Sequence, residues 1–269
     1  MLEPTISLTD EQITFFHKNG YLAIECLTTA TEISRLRGVY DRLFSEQAGR
    51  EEGNQYDLAG TDEDDKPLSL PQIVNPVNYA PELKDILLKA NARAVAQQLL
   101  GPPVEAQGEF AIMKPPQLGA PAPWHQDESY WKEELEYNSV SIWVPLQEAT
   151  LENGCMQFIP GSHKGDVLPH HPIGHDPRVH GLEVDECDPS TAVACPLPAG
   201  GATIHHCRTL HYTGPNRSSQ MRRAYVHTFA AAFVKRSQPR DFYWQKQRRT
   251  ARDERRRQAG TVSASAGTA

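Results

Sequence analysis

The sequence predicts a mostly β protein with helices at its N-terminal end, and two observations lead to this fold class. Apolar residues recur at helical spacing as far as Leu100, and after Gly101 they occur in short runs separated by Gly and Pro. The chain has 269 residues, of which 39% are hydrophobic and 23% charged, which is typical of a globular protein. We expect one domain over 1–245, with helices at about 8–101 and strands at about 102–235.

Three N-terminal helices are predicted from start signals and apolar spacing. Thr9 followed by Gln12 is a capping box, and the helix that it begins should end at Gly20. A second helix is expected at roughly 30–48, and a third begins near Pro81, a residue favoured in the first turn. The residues that should face the core are Ile13, Phe16, Ile33, Leu36, Tyr40, Leu43, Leu83, Ile86, Leu87, Ala90 and Ala94.

The clearest strand is predicted at 139–147. Val140, Ile142 and Val144 alternate with Ser141 and Trp143, so one face should pack on apolar neighbours and the other should meet a more polar environment. Shorter strands are expected at 21–24, 104–114, 155–159, 193–197, 201–206 and 223–234.

Three segments have no clear periodicity. Residues 49–70 are polar and are interpreted as a surface loop. Residues 162–194 are rich in Pro, His and Asp, and a loop of this length within a domain is usually a lid or a mobile segment. The tail at 246–269 is basic and then of low complexity, and we expect it to be disordered.

Bulk properties narrow the class of partner. A formal net charge of −7 disfavours nucleic-acid binding, and no apolar run approaches the roughly 20 residues of a membrane span. No secretory signal is visible, and five cysteines without a Cys-X-X-Cys pair indicate reduced thiols, so we expect a cytoplasmic protein.

His125 and Asp127 are the first candidate metal ligands. On an extended strand, side chains two residues apart point to the same face, with Cα atoms roughly 6.5–7 Å apart. One imidazole and one carboxylate could then reach one ion, as in the two-His-one-carboxylate set that binds Fe(II) and leaves positions open. Nine histidines come after Asp127, and residue chemistry alone does not choose the third ligand. A zinc cluster at 170–180 is disfavoured because no cysteine lies nearby.

His211 differs from the other histidines in its C-terminal neighbours. A turn at 214–216 would bring Arg222 on the next strand back beside His211. Arginine is suited to hold a carboxylate by two parallel hydrogen bonds, and the Thr213 hydroxyl would lie on the same face. A metal next to such an anion clamp implies a chelating cosubstrate with a distal carboxylate, which 2-oxoglutarate fits.

Six motifs have a characteristic order and spacing in this chain: 114–116, 124–128, 142–146, 151–155, 159–163 and 211–222. Through them the chain resembles the phytanoyl-CoA dioxygenase family of Fe(II)/2-oxoglutarate-dependent oxygenases over roughly residues 8–235. The resemblance implies a double-stranded β-helix, a cupin-like jelly roll, supported by the N-terminal helices.

The resemblance also implies the roles of seven residues. His125, Asp127 and His211 match the family's catalytic iron ligands, and Arg222 with Thr213 matches its clamp for 2-oxoglutarate. Trp143 and Lys114 match positions that commonly line the cosubstrate pocket.

The expected function is oxidation of an unactivated C–H bond in a small organic substrate with Fe(II), 2-oxoglutarate and O2. Hydroxylation, as in the tailoring of a bacterial secondary metabolite, is the default outcome, and ring closure, epimerisation and desaturation share the same ligand set. Halogenating members of such families have a small residue at the position of Asp127, which frees a metal site for halide. Because Asp127 is present here, the resemblance disfavours halogenation. The alternatives of another class are a non-catalytic cupin-like binding protein and a metal-dependent isomerase. Candidate substrate-pocket residues are 70–80, 162–194, Glu109, Met113, Tyr130 and Trp131.

Overall fold

A computed structural model describes residues 2–63 and 65–266 of the protein. The helices are α1 (Asp10–Asn19), α2 (Ala30–Ser45), α3 (Leu87–Leu100), α4 (Tyr243–Gln247) and α5 (Ala251–Ala266). The strands are β1 (Tyr21–Ile24), β2 (Gln55–Asp57), β3 (Pro71–Val74), β4 (Glu105–Lys114), β5 (Ala122–His125), β6 (Leu135–Pro145), β7 (Met156–Phe158), β8 (His170–Pro172), β9 (Leu182–Val184), β10 (Val193–Cys195), β11 (Ala202–His206), β12 (His211–Thr213) and β13 (Arg222–Lys235).

The strands form two main antiparallel sheets and one hairpin. The large sheet has seven strands in the order β1-β11-β6-β13-β4-β3-β2, and the small sheet has four in the order β10-β7-β12-β5. Strands β8 and β9 form the hairpin. The predicted fold class, a jelly-roll core with N-terminal helices, is confirmed, and neither main sheet closes into a barrel.

Two apolar cores lie between the layers of the molecule and hold them together. The first joins the N-terminal helices to the large sheet, as where Leu36 of α2 shares a buried cluster with Ile142 of β6. The second lies between the two sheets, where Trp143 of β6 shares a cluster with Phe158 of β7. The alternation predicted for this strand is therefore confirmed, since successive residues of β6 belong to opposite faces of the large sheet.

The predicted bounds of α1 are confirmed, and those of α3 are confirmed only in part. Thr9 and Gln12 form the predicted capping box, and α1 ends at Gly20, which has the left-handed φ of 80° that glycine tolerates. Helix α3 begins at Leu87 instead of near Pro81, where there is only a single 3-10 turn. The Glu32 carboxylate of α2 accepts hydrogen bonds from the first two amides of α3, at 2.9 and 2.8 Å. A cap that comes from another helix has no signal in the local sequence.

The segment at 49–70 is more ordered and more buried than the predicted surface loop. It contains β2, which extends the edge of the large sheet. The buried carboxylate of Asp57 accepts hydrogen bonds from the amides of Ser69 and Leu70, at 2.7 and 2.9 Å, so it closes the loop on itself. The predicted loop at 162–194 likewise contains the β8-β9 hairpin and the start of β10.

The structure also differs from the disordered tail predicted at 246–269, since α5 occupies most of it. Arg252 of this helix donates to the carbonyl of Gly53 at 3.0 Å, with its guanidinium 4.2 Å from the ring centre of Tyr56, and Arg255 pairs with the buried Asp62. Basic residues that suggest a solvated segment in the sequence therefore have specific partners in the fold. Residues 267–269 of the predicted tail lie outside the described residues.

Among residues 2–63 and 65–266, no helix has the length and apolar character needed to cross a membrane.

Candidate metal and cosubstrate site

Two strands and a turn bring the three predicted ligands together. His125 is the last residue of β5 and His211 is the first of β12, and the two face each other in the antiparallel register of the small sheet. Asp127 begins a 3-10 turn instead of continuing the strand, so the turn directs its carboxylate toward both imidazoles. The expectation of an extended strand through all of 125–127 is corrected in this respect.

The ligand atoms converge on one point. Asp127 Oδ1 lies 4.0 Å from His125 Nε2 and 3.5 Å from His211 Nε2, and the candidate ligand atoms all lie within 4.8 Å of one another. Ligands at about 2.1 Å from a metal and at right angles would be about 3 Å apart, so a first-row ion fits after a small contraction.

Both imidazoles are held in the tautomer that a metal requires. His125 Nδ1 donates to the carbonyl of Pro123 at 2.7 Å, and His211 Nδ1 donates to the carbonyl of Thr209 at 2.9 Å. The proton of each ring is therefore on Nδ1, which leaves the Nε2 lone pair facing Asp127. The donor set fits Fe(II) in its ligand types and in its orientation.

The second oxygen of Asp127 is fixed by two residues that the sequence analysis missed. Ser141 Oγ donates to Asp127 Oδ2 at 2.6 Å, and His205 Nε2 lies 3.2 Å from the same oxygen. These hydrogen bonds leave Oδ1 for the metal. Ser141 and His205 are directly opposite each other on β6 and β11. The alternation in β6 had placed Ser141 on the more polar face, which was the available signal.

The environment of the site keeps His125 and His205 neutral and the Asp127 carboxylate ionised. Burial lowers the pKa of His125 to about 3 and that of His205 to about 4. Burial opposes ionisation of Asp127, but the nearby His211 and a hydrogen bond from His205 hold the pKa of this carboxyl well below its usual range. At neutral pH His125 and Asp127 can therefore bind a cation without first losing a proton.

Arg222, at the start of β13, is a buried cation in the same cavity. Its side chain is 1% exposed, and its guanidinium lies 5.5 Å from the ring centre of Trp143. Within the described part of the chain, Nε and Nη1 of Arg222 have no hydrogen-bond partner. Burial lowers its pKa to about 9, so it remains charged at neutral pH. A buried guanidinium with free donors fits a carboxylate ligand.

The structure brings three of the four predicted cosubstrate residues into this cavity. Thr213, Trp143 and Arg222 line it, together with the three candidate metal ligands. Lys114 lies elsewhere, because its ammonium donates to the carbonyls of Thr213 and Gly214, at 3.2 and 2.5 Å. It supports the turn after β12 and does not line the cavity.

The cavity has a volume of about 470 Å³, enough for a small organic molecule. Of the predicted pocket residues, Tyr130 and Trp131 line it, and Glu109 and Met113 do not. The predicted segments 70–80 and 162–194 also contribute to the lining, with Leu70, Gln72, Val74 and His180. Lining residues that were not expected from the sequence include Tyr56, Arg248, Arg252 and Arg256. They come from β2 and the C-terminal segment, which were predicted to be a surface loop and a disordered tail.

The sequence matches the model of a known protein family. The family model described as phytanoyl-CoA dioxygenase (PhyH) matches residues 16–224. A curated relative from Stutzerimonas stutzeri, named probable alpha-ketoglutarate-dependent hypophosphite dioxygenase, is 27% identical over 226 residues, covering 82% of this chain and 78% of its own length. The phytanoyl-CoA dioxygenase of Arabidopsis thaliana is 29% identical over 255 residues, covering 82% and 88%.

Solved structures agree with this result. EvdO2 from Micromonospora carbonacea var. aurantiaca, which has also been solved with 2-oxoglutarate, is 38% identical with a TM-score of 0.77, covering 90% of this chain and 99% of its own. SnoK from nogalamycin biosynthesis, described as a non-heme alpha-ketoglutarate-dependent carbocyclase, shares the fold with a TM-score of 0.67 at 23% identity. The family model matches most of the chain, and the structure places a His-Asp-His group beside a buried arginine. The chain therefore belongs to the phytanoyl-CoA dioxygenase family and is an Fe(II)- and 2-oxoglutarate-dependent dioxygenase.

Proposed function

We propose that the protein hydroxylates an unactivated C–H bond of a small organic substrate, in the tailoring of a bacterial secondary metabolite. His125, Asp127 and His211 would hold Fe(II). The observation that carries the proposal is that the buried donors of Arg222 share one cavity with this group. A binding protein without chemistry would not need a metal group that leaves positions open beside an anion clamp.

The residues of the chain would each have a separate task. Bound Fe(II), with 2-oxoglutarate and O2, supplies an oxidant strong enough for an aliphatic C–H bond. Arg222 and Thr213 would hold the distal carboxylate of the cosubstrate, which fixes the chelating end toward the histidines. Ser141 and His205 would keep Asp127 from rotating, through the hydrogen bonds to its Oδ2. Tyr130 and Trp131 would exclude water beside the reacting bond.

Hydroxylation is preferred because it needs no further group from the protein. Ring closure, epimerisation and desaturation begin with the same hydrogen abstraction and depend on how the substrate is held afterwards. SnoK is described as a carbocyclase and SnoN as an epimerase, which shows that this fold serves more than one outcome. Product analysis by mass spectrometry would decide among them, since hydroxylation adds one oxygen atom and the others do not.

The test of the reaction class is formation of succinate. Protein supplied with Fe(II), ascorbate, 2-oxoglutarate and O2, with candidate substrates, should produce succinate, and the His125→Ala variant should not. The same mixture without O2 is the second control. Succinate formation that is no faster than in the His125→Ala variant would refute the proposal.

A further inference from the structure

A second group of cations lines the cavity, apart from Arg222. Arg248, Arg252 and Arg256 lie at the C-terminal end of the described chain, the first just before α5 and the other two on it. They are spaced four residues apart, so the two on the helix occupy one face of it. All three line the same cavity as the candidate metal ligands.

Of the residues that the structure describes, the two inner arginines of this group contact neutral groups only. Arg248 donates to the carbonyl of His180 at 3.1 Å, and its guanidinium lies 5.7 Å from the ring centre of Tyr130. Arg252 lies 3.0 Å from His180 Nε2 and 4.2 Å from the ring centre of Tyr56. These contacts orient the guanidinium groups without neutralising them.

The side chain of Arg256, at the exposed edge of the cavity, makes no hydrogen bond or ion pair with the residues described. In that same part of the chain, none of the three arginines lies within 4.0 Å of a carboxylate, whereas their neighbours Arg255 and Arg257 pair with Asp62 and Glu254.

Among the described residues, one carboxylate lines the cavity beside this group. Asp253 lines the cavity too, and its Oδ2 accepts a hydrogen bond from Thr250 at 2.7 Å. Three guanidinium groups against one carboxylate leave an excess of positive charge in this part of the cavity, inside a protein whose formal net charge is −7. Such a local excess favours an anionic ligand.

The arginines lie within reach of a molecule that also approaches the metal ligands. The ring of Tyr130 is 6.2 Å from that of His125 and 6.1 Å from that of His180, which in turn contacts Arg252. Two ring-to-ring steps therefore connect the candidate metal ligands to the arginine group, a separation that a small molecule in a cavity of about 470 Å³ can span.

We infer that the substrate carries an anionic oxygen group, a phosphate or a carboxylate, and that Arg248, Arg252 and Arg256 bind it two rings away from His125. This rests on the proposed function, because it assigns the cosubstrate to Arg222 and the substrate to the rest of the cavity. Charge-assisted hydrogen bonds from two or three guanidinium groups would fix one end of the substrate and thereby present its C–H bond to the metal.

The test uses three probes with the same hexyl chain: hexyl phosphate, hexanoate and 1-hexanol. Each is titrated by calorimetry under argon into the full-length protein loaded with Fe(II) and 2-oxoglutarate. We expect an anionic probe to bind at least tenfold more tightly than the alcohol, with an affinity that falls as salt is added. Tighter binding of hexyl phosphate than of hexanoate would indicate a phosphorylated substrate, and the reverse order would indicate a carboxylate.

The variants are Arg256→Gln and, as the matched control, Arg257→Gln. Arg256 has no partner within the described structure, so its loss should not disturb folding, and we expect anion binding to weaken about tenfold, which corresponds to 1.4 kcal/mol. Arg257 is the next residue, pairs with Glu254 and does not line the cavity, so its variant should bind the anion as the parent protein does.

Three results would overturn the inference: equal binding of hexanol and the anions, unchanged anion binding by Arg256→Gln, or an equal loss of 2-oxoglutarate affinity in that variant. Failure of the proposed function would look different. In that case succinate would not form, while the anionic probes would still bind and would still discriminate between Arg256→Gln and Arg257→Gln.

Discussion

Replacement of Arg222 by alanine should separate cosubstrate binding from metal binding. The guanidinium is buried, and its Nε and Nη1 have no partner among the residues described. A hydrogen bond to a charged group contributes about 1.5–3 kcal/mol, so the loss of two parallel bonds should cost about 3–6 kcal/mol. The Kd for 2-oxoglutarate should therefore rise roughly 100- to 20,000-fold.

The affinity for Fe(II) should change less than about threefold, because Arg222 does not belong to the His-Asp-His group and, among the residues described, makes no hydrogen bond or ion pair with it. Both constants can be measured under argon, 2-oxoglutarate by calorimetry and Fe(II) by competition with a chelator. Arg223→Ala is the matched control, since Arg223 is the next residue of β13 and pairs with Asp41 at 2.5 Å, outside the cavity. Equal losses of iron and 2-oxoglutarate affinity in Arg222→Ala, or an equal effect of Arg223→Ala, would refute the clamp.

Three further predictions concern the metal site and stability. His205→Ala should weaken Fe(II) binding about 10- to 100-fold in the same chelator competition, because the hydrogen bond that orients Asp127 is lost; unchanged affinity would contradict this role. Thr9→Ala should lower the free energy of unfolding in urea by about 1 kcal/mol through loss of the capping box, and a change near zero would mean that the cap contributes nothing. Burial lowers the pKa of His227 to about 3, so between roughly pH 6.5 and 3 the unfolded chain binds a proton that the folded protein does not, and the free energy of unfolding should fall as the pH falls. His227→Gln should remove about 2 kcal/mol of the loss between pH 7 and 5, whereas an unaltered pH profile would exclude this residue as a cause.

The helices and the central strands could be predicted because their signals are local. The capping box at Thr9 lies within four residues, and the period-two pattern of β6 reports which face is apolar. The start of α3 could not be predicted, since the carboxylate that caps it belongs to Glu32, more than fifty residues earlier. Strand β2 was missed because it is three residues long and is ordered by hydrogen bonds to the Asp57 side chain from beyond it in the chain.

In the candidate site, too, local features could be predicted from the sequence and contacts between distant segments could not. The spacing of His125 and Asp127 and the turn between His211 and Arg222 were enough to name a metal group and a clamp, although their roles stay a prediction until measured. The resemblance placed Lys114 in the cosubstrate pocket. In the structure its ammonium instead donates hydrogen bonds to the carbonyls of Thr213 and Gly214, at the end of β12. Ser141 and His205 meet at Asp127 only because β6 and β11 are neighbours in the sheet.

The sequence by itself determined the fold class and the family, and it predicted candidate residues for binding iron and 2-oxoglutarate, because each depends on residue types at short spacings. Only the tertiary structure decided what surrounds them. The C-terminal arginines look like a solvated basic tail in the sequence, since charge patterning carries no information on distant contacts. In the fold, Arg252 lies against Tyr56 and His180, so residues from three distant segments form one wall of the cavity. The physical reason is that a pocket wall is built from whichever segments pack together, and that packing is a property of the whole chain.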